Sequence, residues 1–452
     1  MPARARTLFH VAVVLLPVCS VMCQDRLPDF QVHTNPPRLL LEPARVRLLR
    51  KEKDRQSIRW QQFASLISKG AQMPEPGFAL ALYWQTSGEL RYAQSAIQFA
   101  AGSSDVRQIA LVYDWCRQML TEEQARVIEE KLRNAIRQLD LSLDIPTIRD
   151  IVMASIALAD KEPQLCARVL QQIVEQRWRV QLVPRLKQGK SVVHRKDLYA
   201  LLEILHVVRD NLHIDLREDI PEFFKDLPRW EILSYYPAPQ ADAWNNYRVP
   251  ACETIGAPDL NRAALARAAD LATVAYDPNN QEAQFLQGWL IHDQFLMRSP
   301  FGIPYEFLWA NPYLPGLSYY HLDPVYYDPL FGRLFLRSSW DDSATWLGCF
   351  DGVTQVFDNG ALRTMKKQPN SGPLLIGNAF VFFDAPSHRY RIDKPDIETV
   401  FLVGLAPHKR YEIEVNGRKR EELTADSGGI LAVKAAIRPG SEFFIREVQA
   451  RH

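Results

Sequence analysis

The stretch ADAWNNYR, residues 241–248, places several kinds of chemistry within a few positions. Asn245 and Asn246 carry amide donors suited to a carboxylate, and Arg248 adds a fixed positive charge. Tyr247 can serve as an acid or, beside positive charge, as a base, because a free phenol titrates near about 10. Trp244 offers a flat apolar face on which a sugar ring can stack. The same residues can equally cap a neighbouring helix and satisfy loop backbone groups.

A second group runs from Tyr305 and Glu306 through Trp309, Asn311 and Tyr313, and continues in Tyr319, Tyr320 and His321. Aromatic rings with polar rims suit the CH-rich faces of sugars, and ligand sites favour the seams between folding units. Filling such a seam as core is the competing role for these residues. His206, Asp210 and His213 fall on one helix face at a spacing that can hold a metal. Leu201, Leu205, Val208 and Leu212 make that helix core-facing, so no metal is expected. Asp341, Asp342, Glu306 and Asp210 supply carboxylates for a two-carboxylate hydrolase, but spacing pairs no two of them. The DSGG turn at 426–429 lies between two strands, whereas a phosphate cradle opens a helix, so no nucleotide or other cofactor is expected.

These residues need elements to position them. From Glu42 to about Leu296 one apolar helical stripe follows another. Thr121 and Gln124 form a capping box, after which Ala125, Ile128, Leu132, Ala135 and Leu139 mark one face. Pro74, Pro76, Pro146, Pro163 and Pro184 punctuate the stripes, and short links make consecutive helices antiparallel neighbours. No repeat of fixed length is present. Between 297 and 331, proline and aromatic residues dominate and no helical face is legible. From Gly332 onward short runs such as RLFLRSSW, ATWLGCF and RYEIEVNG alternate, with Asn416-Gly417 as a hairpin turn, so an antiparallel β-sandwich is expected.

Composition sets bounds on the rest. A chain of 452 residues with 47% hydrophobic and 24% charged residues has room for more than one core. A net charge of +1 gives no footing for nucleic acid or an acidic membrane as partner. Arg4 and Arg6 precede an apolar run from Thr7 to Cys23, the layout of a secretory signal peptide. A secreted or periplasmic location is therefore expected, with a lipoprotein at Cys19 or Cys23 as the weaker alternative, and no stable membrane span once the leader is removed. Cys116, Cys166, Cys252 and Cys349 are too widely spaced for a zinc knot, and both free thiols and disulfides stay open.

Three stretches carry a resemblance: PPRLLLEPARVRLLR, ALVYDWCRQML and GRLFLRSSWDDSATWLGCFDG are similar to the heparinase II/III-like polysaccharide lyases. The resemblance implies a multi-domain protein, α then β: an incomplete α/α toroid of helical hairpins followed by an antiparallel β-sandwich. It also implies an acidic, uronate-containing polysaccharide as partner, and cleavage by β-elimination. In such lyases Asn, Gln or an acid neutralises the sugar carboxylate, Tyr or His takes the C5 proton, and Tyr protonates the leaving oxygen. On that basis Asn246, Tyr247, Arg248 and His321 are the catalytic candidates. Trp244, Asn245, Tyr305, Glu306, Trp309 and Tyr320 are the substrate-binding ones. Two features of such lyases have no counterpart here. The region DIPTIRDIVMASIALAD lacks their Asn-His pair, and VTQVFDNGALRTMKKQPNSG lacks their histidine-bearing strand. A lyase-shaped glycan-binding or structural protein without activity, and an α/α-toroid glycoside hydrolase, are the alternatives. The expected layout is a leader over 1–23, the helical domain over 24–296, a joining segment over 297–331 and the sandwich over 332–452.

Overall fold

The computed structural model describes residues 30–241, 246–253, 259–293, 297–365, 372–384, 389–394 and 397–448. The leader expected over 1–23 lies outside them. Helices fill the first part: α1 (Pro43–Asp54), α2 (Ile58–Ser68), α3 (Pro76–Ser87), α4 (Leu90–Gly102), α5 (Val106–Trp115), α6 (Glu122–Arg137) and α7 (Ile145–Leu158). They continue as α8 (Pro163–Gln171), extended by a π-helical run to α9 (Val183–Lys187), then α10 (Leu198–Leu212), α11 (Pro221–Leu233), α12 (Leu260–Tyr276), α13 (Gln281–His292) and α14 (Gly302–Trp309). Among the described residues no helix is long and apolar enough to cross a membrane.

Local signals set these helices as the sequence requires. The capping box is present, with Gln124 N–H donating to Thr121 Oγ1 at 3.2 Å and Thr121 N–H to Gln124 Oε1 at 3.0 Å. Ile128, Leu132 and Ile136 are the buried face that follows. Asp105, Asp144, Asp259 and Asn280 cap α5, α7, α12 and α13 by accepting backbone N–H groups. Alternate helices then pack side by side: α3 on α5, α5 on α7, α7 on α10, α10 on α12, and α12 on α14, which returns to α2 and α3. The others cover them from outside. Because hairpin partners run antiparallel, the inner helices run parallel and start at one end of the toroid.

Where the sequence shows no helical face, the structure forms α14. All of its residues are buried, so its pattern is apolar all round, as for a helix packed on every side. Pro304 sits in the first turn, where its missing N–H costs nothing, and Ser299 Oγ accepts the N–H of Gly302 at 3.0 Å. Trp309, Tyr305 and Phe307 from this helix are among the largest fully buried side chains.

Two of the quoted motifs lock to each other. Asp114 Oδ2, on α5, accepts the N–H of Arg38 at 2.7 Å and of Leu39 at 2.9 Å, while Trp115 Nε1 donates to the Leu39 carbonyl at 2.8 Å. The Arg38 guanidinium reaches Asp160 at 2.8 and 2.9 Å and the Ile156 carbonyl at 3.0 Å. Burial draws the Asp114 carboxyl up to about 6 despite the two amides.

After the two-residue pair β1 (Gln240–Ala241) and β2 (Asn246–Tyr247), strands dominate. The first sheet takes β3 (Val325–Asp328), β4 (Arg333–Arg337), β5 (Trp346–Phe350), β6 (Val353–Asp358) and β7 (Ala361–Thr364) in chain order. Next come β8 (Leu374–Ile376), β9 (Ala379–Phe383), β10 (Tyr390–Ile392), β11 (Ile397–Val403), β12 (Arg410–Val415), β13 (Arg418–Thr424), β14 (Leu431–Ile437) and β15 (Ser441–Glu447). They form a second sheet, β14-β11-β9-β8, and a third, β10-β15-β12-β13. Pairing is antiparallel apart from β9 with β11.

The central strands of the first sheet, β4, β5 and the middle of β6, are buried on both faces. Period-two alternation sends Phe335, Trp346, Phe350 and Phe357 into the helical core, and Leu334, Leu336, Leu347, Cys349 and Val356 toward the second sheet. Gly348 leaves room for the Trp346 indole, which a Cβ there would meet at 2.4 Å. Trp346 Nε1 donates to the Leu233 carbonyl at the end of α11, at 2.9 Å. The second and third sheets share a further core that includes Phe382, Val400, Ile413 and Phe443. No disulfide joins any two of Cys116, Cys166, Cys252 and Cys349.

Asp114→Ala would leave two buried N–H groups without an acceptor, so we expect a loss of at least about 2 kcal/mol in urea unfolding. A change below about 0.5 kcal/mol would show that the motif pair is not a structural lock.

Candidate functional site

The loop after α11 carries the sequence candidates to the junction with the first sheet. Trp244, Asn245 and the side chain of Asn246 lie outside the described residues, and Tyr247 is buried. Arg248 spans the junction. Its Nε donates to Asp293 at 3.2 Å, its Nη1 to the Pro237 carbonyl at 2.6 Å and its Nη2 to Asp342, in the β4–β5 hairpin, at 2.9 Å. Asp293, just past α13, also holds Arg267 of the inner helix α12. One carboxylate thus couples Arg248 to the toroid wall, and the other, 58% exposed, couples it to the sheet.

Beside it lies an aromatic face. Tyr319 and Tyr320 occupy one 3-10 turn and stack at 4.5 Å. Trp340 meets Tyr319 edge-on at 5.1 Å, and His292 approaches the two tyrosines at 5.5 and 6.3 Å. Tyr320 is 54% exposed, and His292 and His321 are exposed as well. Arg337 of β4 lies against the Trp340 ring at 4.5 Å, a cation–π contact. Burial first, then the charge of Arg248, draws the Arg337 guanidinium down to about 10, so it stays charged at neutral pH but poorly solvated. Two like charges held close together, next to the exposed Tyr320 ring, favour an entering anion.

Tyr319 is not set up as a tyrosinate base. Burial and the Tyr320 hydroxyl both push the Tyr319 phenol upward, outweighing the two arginines. Strand β6, from the VTQVFDNG stretch, is committed to structure. Buried Gln355 accepts from Tyr236 Oη at 2.8 Å and donates to the Cys252 carbonyl at 2.8 Å. It ties the loop that carries Arg248 to the sheet.

Tyr305, Glu306 and Trp309 lie away from that face, inside the toroid, because α14 closes the helical ring rather than joining it to the sandwich. Trp309 Nε1 donates to Tyr199 Oη at 3.0 Å, and Arg45 covers its ring at 4.5 Å. Tyr305 donates to Glu75 and packs on Phe78 at 5.0 Å. Glu306 accepts the Met297 N–H at 3.3 Å with Arg59 4.0 Å away, and burial pushes its carboxyl up to about 7. His206 makes a 3.0 Å hydrogen bond to the Ala272 carbonyl and packs against Trp309. Asp210 pairs with Arg209, and His213 caps α10 in a left-handed conformation. No group of three or more metal-ligating side chains forms among the described residues.

Sequence reasoning missed an ionic cluster where the inner helices begin. Glu203 of α10 is buried and receives Arg107 of α5 through two nitrogens, and Arg149 of α7 at 2.9 Å. Arg107 continues to Glu75 at 3.2 Å, and Arg149 to Asp150 at 2.8 Å. Arg149 and Asp150 belong to the DIPTIRD stretch, so charged residues stand at the start of this helix. Glu75 and Asp150 keep about a quarter of their side chains exposed, at 24% and 25%. Burial raises the Asp150 carboxyl, while Glu75 sits between donors from Arg107 and Tyr305. The signal was legible: Arg107 and Glu203 interrupt otherwise apolar helical runs, which is where a buried ion pair belongs.

Glu306 gives a pH prediction. Its folded value, about 7, stands above the 4.5 of an ordinary glutamate. The folded chain therefore holds a proton that the unfolded chain releases first. That stabilisation is complete below the unfolded value and is lost as pH rises through the folded one. Glu306→Gln, neutral throughout, should lose less stability than the parent between about pH 5 and 8 in thermal unfolding. Parallel curves for the two proteins would contradict this.

No family model matches the chain, and no curated protein matches it. Among solved structures, a glycoside hydrolase is similar with a TM-score of 0.32 and 10% identity, covering 83% of this chain and 71% of that one. A GH127 β-arabinofuranosidase is similar with a TM-score of 0.27 and 11% identity, covering 93% and 80%. Likeness at these scores leaves function to the chemistry of the site itself.

Proposed function

We propose that this chain is a glycan-binding protein that holds an acidic, uronate-containing polysaccharide at the junction face without cleaving it by elimination. The observation that carries the reading is the exposed Tyr320 ring, stacked on buried Tyr319, backed by Trp340 and set beside Arg248 and Arg337. Sugar CH faces pack on such rings, and a guanidinium takes a carboxylate in a fixed geometry. Asp342, more than half exposed, is the displaceable partner: a uronate carboxylate can take its place on Arg248 while Asp293 keeps the arginine anchored. The leader expected over 1–23 would carry the chain to where such polymers occur. Elimination by a tyrosinate needs a lowered phenol, and burial pushes the Tyr319 phenol upward.

A second reading rests on the ionic cluster. Asp150, raised by burial, and Glu75, held by donors, are partly exposed carboxylates in unlike environments, the arrangement by which a hydrolase separates acid from base. In this reading Asp150 is the proton donor and Glu75 the base or nucleophile.

Calorimetric titration with oligogalacturonate, alginate and heparin fragments separates these. We expect saturable binding to at least one, weakened about tenfold or more by Tyr320→Ala with the melting temperature unchanged. Asp342→Asn should tighten binding several-fold by removing the internal competitor. Equal affinity for neutral glucans, or no effect of Tyr320→Ala, would defeat the binding reading. An unsaturated product would instead establish elimination, and new reducing ends that vanish in Asp150→Asn would establish hydrolysis.

A further inference from the structure

A cavity of about 290 Å³ opens on another side of the same junction, between α11 and the first hairpin of the sheet. Phe223, Leu227 and Trp230 of α11, with Tyr326 and Phe331, make its walls mostly apolar. Arg333 of β4 lines it from within. That side chain is 3% exposed and lies between the Trp230 ring at 4.4 Å and the Phe331 ring at 4.9 Å. Among the described residues its hydrogen bond is from Nη2 to Ser191 Oγ at 3.2 Å, and no carboxylate comes within ion-pair distance. A cation taken out of water without a counter-ion is costly, and one that lines a cavity can recover that cost from an anionic ligand. Burial lowers the Arg333 guanidinium, and the acids that act on it, Asp351 first, do not contact it.

Glu222, Asp226 and Asp328 also line the cavity, with Lys187 from the end of α9. Glu222 and Asp226 are exposed, so they stand at the rim. They would accept hydrogen bonds from hydroxyl groups and repel a second carboxylate.

We propose that this cavity binds a small ring-shaped hydroxy-carboxylate. Its single carboxylate pairs with Arg333, its ring packs on Phe223, Leu227 and Phe331, and its hydroxyls donate to the acidic rim. Two sources share that chemistry: a free uronic acid, and a hydroxylated aromatic acid. The site does not depend on the polysaccharide reading, since none of its lining residues belongs to the Tyr320 face.

The test titrates the full chain calorimetrically with glucuronate, galacturonate and para-hydroxybenzoate, with glucose and phenol as uncharged controls. Saturable binding of an acid with Kd below about 1 mM, and none of the controls, is the expected result. Binding of the sugar acids alone assigns the first source, and of the aromatic acid alone the second. Arg333→Gln should weaken binding by about tenfold or more, as for removal of one partner of a buried charge pair. Asp226→Trp, an exposed rim change that leaves the core alone, should block entry even where the Arg333 variant fails to fold. Tyr320→Ala should leave this binding unchanged. Failure of all three acids, equal binding of the uncharged controls, or undiminished binding in Asp226→Trp would overturn the proposal.

Discussion

The rest of the molecule depends on one sheet whose central strands are covered on both faces. β4, β5 and the middle of β6 give alternate side chains to the helical core and to the second sheet, so neither part can move against them without opening apolar surface. Trp346 fixes the contact at its centre by hydrogen-bonding the last turn of α11, and Gln355 fixes it at the side by bonding Tyr236 and Cys252. The Arg248 face and the Arg333 cavity lie on either side of this anchored contact, which is why side chains far apart in sequence meet there.

Charge is used in two ways around that frame. Deep in the toroid, Arg107, Arg149 and Glu203 satisfy one another, and breaking one would strand the others in a medium that solvates them poorly. At the junction the arginines are less completely matched. Arg248 keeps one partner that solvent reaches, and among the described residues Arg337 donates its Nε to the Ser339 carbonyl at 2.9 Å without an ion pair, while Arg333 hydrogen-bonds the Ser191 hydroxyl without one. Complete pairing builds the scaffold. Incomplete pairing leaves room for an acidic ligand.

Much of the fold was legible. The capping box at Thr121, the helix-starting acids and the alternating strands each gave the element they favour, because they act through neighbours close in sequence. Helix α14 was not legible, since a segment buried on all sides loses the polar stripe by which a helix is read. The stretches that resemble lyases are accounted for by structure: Asp114 and Trp115 clasp Arg38 and Leu39, and Trp340 props Tyr319. They mark an architecture more than a reaction. Of the site, Arg248 and Tyr320 could be named from residue type, but their neighbours Arg337, His292 and Asp293 come from distant elements that only the folded chain unites.

Hydrogen exchange with and without oligogalacturonate tests the central claim most directly. Slowed exchange confined to the turn at 319–321 and the hairpin at 337–345 is the result expected of a ligand held at the junction. Protection that instead gathers at the start of α7, around Arg149 and Asp150, with the junction unchanged, would contradict the account.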